Sequence, residues 1–275
     1  MRIPLYQVDA FTSKVFSGNP AAVCLLDGWL DAPILQAIAA ENNLSETAFL
    51  VRNAIGFDLR WFTPLTEVAL CGHATLASAF VLFNCRKWPQ ECIRFQTRCS
   101  GVLEVTRHKD LLEMNFPARA PHAISPPAGL KEALGVTPRE TLASVEDLLV
   151  VLDGEKAVRD VQPDFPVLAR IVCRGIIVTA RGNHCDFVSR FFAPRLGLPE
   201  DPVTGSSHCV LAPYWAGVLG KNDLYASQLS KRGGELFCTH AGDRVKISGK
   251  AVLFLEGTIT ITHEIELKIV NTRTR

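Results

Sequence analysis

The sequence lacks any long apolar run, and its charges do not favour either sign. No window holds 18 consecutive apolar residues, and the first residues, MRIPLYQVDAF, have the pattern of a strand rather than of a secretory signal. The 29 Lys and Arg residues are balanced by 28 Asp and Glu residues. We therefore expect neither nucleic acid nor a membrane as a partner, although local positive potential suffices for a small anion.

Several motifs that would indicate a cofactor, a metal or a nucleophile are also absent. The chain contains no GxGxxG, Walker A, GxSxG or HExxH sequence. Its nine cysteines have irregular spacings and form no CxxC pair, which argues against a zinc site or a thioredoxin-type motif. The sequence thus predicts no cofactor and no metal, and it predicts reduced thiols in a cytoplasmic protein.

The order of motifs indicates two copies of one strand–loop–helix unit in a chain long enough for two packed domains. RWFTP in the first half corresponds to RFFAP in the second, and each precedes a glycine, Gly72 or Gly205, that opens a mostly apolar helix. Chance similarity of two apolar strands is the alternative, but strand, proline, glycine and helix recur in the same order. The Pro- and Ala-rich residues 118–129 are the best linker, so we predict domains at 1–118 and 119–275.

Two such halves place two helix N-termini in comparable positions. Each N-terminus carries unpaired backbone N–H groups and a partial positive charge. If the halves pack face to face, the two N-termini form a site for a carboxylate.

Three short stretches hold the residues that are able to carry chemistry: NNLSETAFL, TEVALCGHAT and PEDPVTGSSH. Taken singly, each residue has an ordinary structural explanation. Glu46 suits an exposed strand edge, His73 a helix start, Cys71 a packing position, and Asp201 a turn before Pro202. Taken together around an anion site, two carboxylates and an imidazole are the groups that move a proton between carbons next to a carboxylate.

At these stretches the chain resembles the phenazine-biosynthesis isomerase family, the PhzF-like proteins. The resemblance spans almost the whole chain and rests on VDAFT, FSGNPAAV, NLSETAF, LCGHATLA, EDPVTGSSH and SKRGGEL. The stretch LRWFTPLTEVALCGHATLAS resembles in particular the animal members, the phenazine-biosynthesis-like domain proteins. The resemblance implies an α+β fold of two similar diaminopimelate epimerase-like domains, each a barrel-like sheet around a central helix, and it implies a homodimer.

The resemblance also implies a mechanism that needs no cofactor. Glu46 matches the glutamate that moves a proton from one carbon to another on a small carboxylic acid. His73 and Asp201 match the polar residues that assist it. The groups around the substrate carboxylate match Gly72, Gly205 and Ser206.

Two other functions stay open at the level of sequence. In the first alternative the protein has kept the fold without catalytic activity and acts as a binding or scaffold protein with protein partners. Amino-acid racemisation by two cysteines is the weakest alternative. Cys71 lies near the first cysteine position of such enzymes, but Thr204 occupies the second, and a threonine hydroxyl is far too weak an acid to replace a thiol.

Overall fold

The computed structural model describes residues 1–261 of the chain. Its first half contains β1 (Arg2–Ala10), β2 (Asn19–Leu26), α1 (Ala32–Asn42), β3 (Glu46–Arg52), β4 (Phe57–Phe62), β5 (Glu67–Val68), α2 (Gly72–Phe80), β6 (Cys92–Gln96), β7 (Val102–His108), β8 (Leu111–Pro117) and β9 (His122–Ala123). The helix α2 continues into a π-helical turn at Val81–Cys85.

The second half also has nine strands around one long helix, and it has three short helices where the first half has α1. It contains α3 (Leu130–Leu134), β10 (Glu140–Ala143), β11 (Asp147–Val151), α4 (Glu155–Asp160), α5 (Phe165–Leu168), β12 (Gly175–Arg181), β13 (Phe187–Ala193), β14 (Leu198–Asp201), α6 (Gly205–Leu219), β15 (Asp223–Gln228), β16 (Gly234–Ala241), β17 (Arg244–Gly249) and β18 (Ala251–Thr260).

The pairing of the strands confirms the duplication. In the first half β2 pairs with β3 in parallel and β3 with β4 antiparallel; in the second half β11, β12 and β13 pair in the same way. A parallel pair also joins β4 to β6 and β13 to β15. Since each half builds a strongly curved sheet around one helix, the fold is the expected α+β arrangement of two barrel-like units.

Two buried arginines repeat the duplication at the level of side chains. Arg60 Nε and Nη2 donate to the two carboxylate oxygens of Glu67 at 2.7 and 2.8 Å, and Arg190 does the same to Glu200 at 2.8 and 3.0 Å. Paired forks of this kind satisfy a buried guanidinium. They fix the correspondence of the halves residue by residue: Arg60 matches Arg190, and Glu67 matches Glu200.

The two halves are joined along their sheets. The last described strand, β18, pairs with β1, and β8 pairs with β17. The short β9, inside the predicted linker, pairs with β10. All 18 described strands therefore belong to one continuous hydrogen-bonded sheet, while the domain boundary at residue 118 stays a prediction.

The core lies around the two central helices. Every residue of α2 from His73 to Ala79 is buried, and α6 buries residues on all sides of its first half. Apolar helices of this kind are stable only inside a sheet. The amphipathic helix α1 covers the outside of β3 with Leu35, Ile38 and Ala39, as its spacing predicts.

Candidate active site

The N-termini of the two central helices meet at the centre of the molecule. A Cβ atom added to Gly72 would lie 3.8 Å from the Cα of Gly205. The residues that precede these glycines, Cys71 and Thr204, provide no side-chain cap. Unpaired N–H groups and the positive ends of two helix dipoles therefore converge at one place, as the duplication predicts for helices that face each other.

Glu46 begins β3 and reaches the start of α2. Its Oε2 lies 3.0 Å from His73 Nε2, and the two side chains are 19% and 7% exposed. Oε2 is buried, and apart from this contact with His73 it has no partner among residues 1–261. Since a carboxylate oxygen has more than one lone pair, Oε2 can also accept from a ligand.

Asn19 ties Asp201 to His73 across the two halves. It is fully buried. Its Nδ2 donates to Asp201 Oδ1 at 2.8 Å and to the Val203 carbonyl at 2.9 Å, and it lies 3.2 Å from His73 Nδ1. Ser45 Oγ donates to its Oδ1 at 3.2 Å. The sequence analysis did not single out Asn19, which begins β2 and whose partners lie far away in the chain.

Asp201 is enclosed at the end of β14. Thr204 Oγ1 donates to its Oδ2, and the buried Gln228 donates to its backbone carbonyl at 2.8 Å. Burial raises the pKa of Asp201 to about 6, although His73, Thr204 and Asn19 act in the opposite direction. Asp201 therefore exchanges its proton closer to neutral pH than an ordinary aspartate does.

Cys71 and His73 form a buried pair beside Glu46. Cys71 Sγ lies 3.5 Å from His73 Nδ1. Burial raises the pKa of the Cys71 thiol, and Glu46 raises it further. Burial alone would lower the pKa of His73, but its neighbours Cys71 and Glu46 raise it well above the ordinary value. Since the Cys71 thiol keeps its proton, the negative charge that favours the imidazolium is that of Glu46.

The same three residues are the ones able to hold a metal. One donor atom each from Glu46, Cys71 and His73 lies within 4.8 Å of the others. Sulfur, imidazole and carboxylate together suit Zn²⁺. Such an ion would take one carboxylate oxygen of Glu46 as a ligand. The chain separates residue 46 from residues 71 and 73, so no such cluster was visible in the sequence, and the expectation of no metal stays a prediction.

Ser206 lies in the first turn of α6 but outside this network. Its Oγ accepts a hydrogen bond from Arg174 Nη1 at 3.0 Å. The fold thus brings Glu46, His73 and Asp201 together, places Gly72 and Gly205 against each other beside them, and joins Ser206 to a second cluster around Arg174.

Comparison with known proteins identifies the family. The profile of the phenazine biosynthesis-like proteins, PhzC-PhzF, matches residues 8–257. The chain belongs to this family. An isomerase of Pseudomonas aeruginosa, named as uncharacterized, is 53% identical over 95% of this chain and all of its own length. The phenazine biosynthesis-like domain-containing protein of Homo sapiens is 40% identical over 94% of this chain and all of its own length.

Solved structures agree with this family. A PhzF-family phenazine biosynthesis protein from Enterococcus faecalis is 46% identical, covers 95% of this chain and 100% of its own, and superposes with a TM-score of 0.93. A hydroxyproline epimerase from Agrobacterium vitis is only 10% identical, with 94% and 92% coverage and a TM-score of 0.59, and shares the fold alone. The relatives that are named isomerases support an isomerase. In residues 1–261 no helix has the length and apolar character needed to cross a membrane.

Proposed function

We propose that this PhzF-like protein is a cofactor-independent isomerase that moves a proton on a small carboxylic acid, with Glu46 as the general acid and base. The observation that carries the proposal is the buried Glu46 carboxyl, whose Oε2 contacts His73 but no other residue in 1–261, beside two converging helix N-termini. The helix ends provide positive potential for the substrate carboxylate, and Glu46 provides a base next to it.

The reaction needs only one proton carrier. Glu46 as carboxylate takes a proton from a carbon of the substrate, and the electron pair of that C–H bond spreads into the substrate's unsaturated system. Glu46 as carboxylic acid then returns the proton to another carbon. The negative charge that develops in between is stabilised by the N–H groups at Gly72 and Gly205, which are already oriented before the reaction.

His73 and Asp201 prepare Glu46 for this exchange. His73 Nε2, 3.0 Å from Glu46 Oε2, holds the glutamate side chain in place while it accepts and returns the proton. Asp201 and the Val203 carbonyl accept the two hydrogens of the Asn19 amide and so hold Asn19 in place, 3.2 Å from His73 Nδ1. In this proposal the network sets the orientation of the group that faces Glu46.

The duplicated half supports one acid/base rather than two. The strand register that matches Arg60 to Arg190 also matches Glu46 to Gly175. A Cβ atom at Gly175 would lie 2.2 Å from the ring of Phe191. The second half therefore has no room for an acid/base side chain at this position. Its counterpart of Cys71 is Thr204, which supports the same conclusion against a two-cysteine racemase.

Hydrogen exchange tests the proposal directly. The protein is incubated in deuterated water with a panel of small amino, hydroxy and unsaturated carboxylic acids, and proton NMR follows the loss of carbon-bound hydrogen. We expect exchange or isomerisation of at least one acid, and a loss of about a thousandfold or more in Glu46→Gln, since the amide cannot carry the proton.

A glutamate outside the site provides the matched control. Glu41 on α1 is exposed, so Glu41→Gln removes the same charge and should exchange at the wild-type rate. A folded Glu46→Gln protein that keeps full turnover would refute the role of Glu46. If no acid in the panel exchanges while protein partners bind independently of Glu46, His73 and Asp201, the binding or scaffold function replaces the isomerase.

A further inference from the structure

The second half places an arginine where the first half has the serine beside its glutamate. Because Glu46 matches Gly175 in the strand register, Ser45 matches Arg174, and the residue that matches His73 at the start of the helix is Ser206. One half thus carries the imidazole and carboxylate pair. The other half carries the Ser206 hydroxyl at the position of the imidazole, and a guanidinium one residue before the position of the glutamate.

Arg174 is held in one orientation by a buried aspartate. Its Nε donates to Asp147 Oδ1 at 2.9 Å, and its Nη2 donates to Asp147 Oδ2. Asp147 is 1% exposed. The guanidinium also lies 5.5 Å from the ring of Phe191, the same ring that excludes a side chain at position 175. A fork fixed on two sides leaves its third nitrogen, Nη1, directed at Ser206.

This contact determines what the Ser206 hydroxyl can do. A serine hydroxyl has one hydrogen to donate and two lone pairs to accept. Arg174 Nη1 occupies a lone pair at 3.0 Å. Ser206 donates to no residue in the described part of the chain, so its hydrogen is free to point to a group between the helix ends.

Net charge is a small part of the effect of Arg174. Asp147 neutralises it, and Arg119 forms an ion pair with Glu146 next to it, so that the cluster of four has no net charge. The main contribution of Arg174 is therefore its hydrogen bond, which orients the Ser206 hydroxyl.

We propose that Arg174 is a positioning residue, which holds Ser206 Oγ as a hydrogen-bond donor to the carboxylate of the substrate. The inference rests on the proposed function, because it assigns the anion end of the same site. It predicts that the site prefers a carboxylate to a neutral amide of the same shape, and that this preference depends on Arg174 through Ser206.

Binding of a carboxylate probe tests the inference without requiring turnover. Benzoate is titrated against the full chain, with benzamide as the neutral isostere, and the amide signals of Gly72 and Gly205 are followed by ¹H–¹⁵N NMR. We expect Ser206→Ala to weaken benzoate binding about tenfold and Arg174→Met about three- to tenfold, with benzamide unchanged. In the Ser206→Ala background, Arg174→Met should have no further effect.

Two further variants protect the test from trivial explanations. Arg119→Met removes a positive charge from the same cluster without a contact to Ser206, and should bind benzoate as the wild type does. Arg174→Met leaves Asp147 buried without its partner, so Arg174→Met with Asp147→Asn is measured as well and should show the same weakening.

Three results would overturn the inference: equal binding of benzoate and benzamide by the wild type, a loss in Arg119→Met as large as in Arg174→Met, or additive losses from Ser206→Ala and Arg174→Met. A failure of the proposed function looks different. It would appear as exchange that survives in Glu46→Gln, while benzoate binding and its dependence on Arg174 stay unchanged.

Discussion

Replacing Asp201 by Asn should stabilise the protein at alkaline pH while it impairs the site. Burial raises the pKa of Asp201 from its ordinary value of 3.8 to about 6. The folded protein therefore binds a proton at Asp201 more tightly than the unfolded chain does. The free energy of unfolding of the wild type should fall as the pH rises from about 4 to about 6. Above that range the destabilisation by the ionised Asp201 should be complete.

The size of this effect follows from the pKa shift. One pKa unit corresponds to about 1.4 kcal/mol, so the full difference between folded and unfolded Asp201 amounts to about 3 kcal/mol. Between about pH 4.5 and about pH 8 the free energy of unfolding should fall by about 2 kcal/mol of this total. The rest is already lost at the lower pH, where the carboxyl of the unfolded chain is partly ionised. The amide introduced by Asp201→Asn does not titrate, and it can still bond Asn19 and Thr204.

Urea unfolding followed by tryptophan fluorescence measures the effect at both pH values. The difference in free energy of unfolding between variant and wild type should shift by about 2 kcal/mol in favour of Asp201→Asn at the higher pH. A change in packing that does not depend on pH contributes equally at both values and cancels in this comparison. Asp186 serves as a control without a pH effect in this range. Burial opposes it, but Lys221 and the Tyr225 amide lower its pKa below 3.8, so the difference between Asp186→Asn and the wild type should be nearly equal at the two pH values. An equal difference for Asp201→Asn at both pH values would refute the reasoning.

Two more substitutions test the packing and the charge state of the core. Gly175→Ala should cost about 1–3 kcal/mol in urea unfolding because its Cβ meets the ring of Phe191, with relief by Phe191→Leu. Gly28→Ala, where the added Cβ meets no atom within 4 Å, should be nearly neutral, and equal costs at the two glycines would contradict this. Burial lowers the pKa of His208 to about 4. The wild type should therefore lose stability as the pH falls from about 6.5 to about 4. His208→Asn should show a flatter dependence of stability on pH, and its amide can still donate to the Thr204 carbonyl. Parallel profiles of variant and wild type would exclude His208 as the source of the pH dependence.

The fold was largely readable from the sequence because its signals are local. The alternation of strands, the apolar helices after Gly72 and Gly205, and the amphipathic spacing of α1 each depend on a few neighbouring residues. The duplication was visible because RWFTP and RFFAP keep an arginine, an aromatic pair and a proline. The structure explains this repeat, since each of the two buried arginines pairs with a partly exposed glutamate.

The site was readable only in part. Glu46, His73 and Asp201 stand in stretches whose composition is unusual for their surroundings, and family resemblance joined them. Asn19 and Arg174 were not found, because their roles depend on partners far away in the chain. Asn19 bonds Asp201 across 182 positions, and Arg174 bonds Ser206 across 32.

The order of residues along the chain was enough to establish the family, the two-fold repeat of the elements and the types of residue available for proton transfer. These follow from local pattern and residue chemistry. The packed fold was needed to show that the two helix N-termini meet, that a buried oxygen of Glu46 contacts His73, and that the second half holds an arginine and a glycine where the first holds a serine and a glutamate. Those properties arise from long-range packing, which sets the burial and the neighbours of each group and thereby its charge and direction.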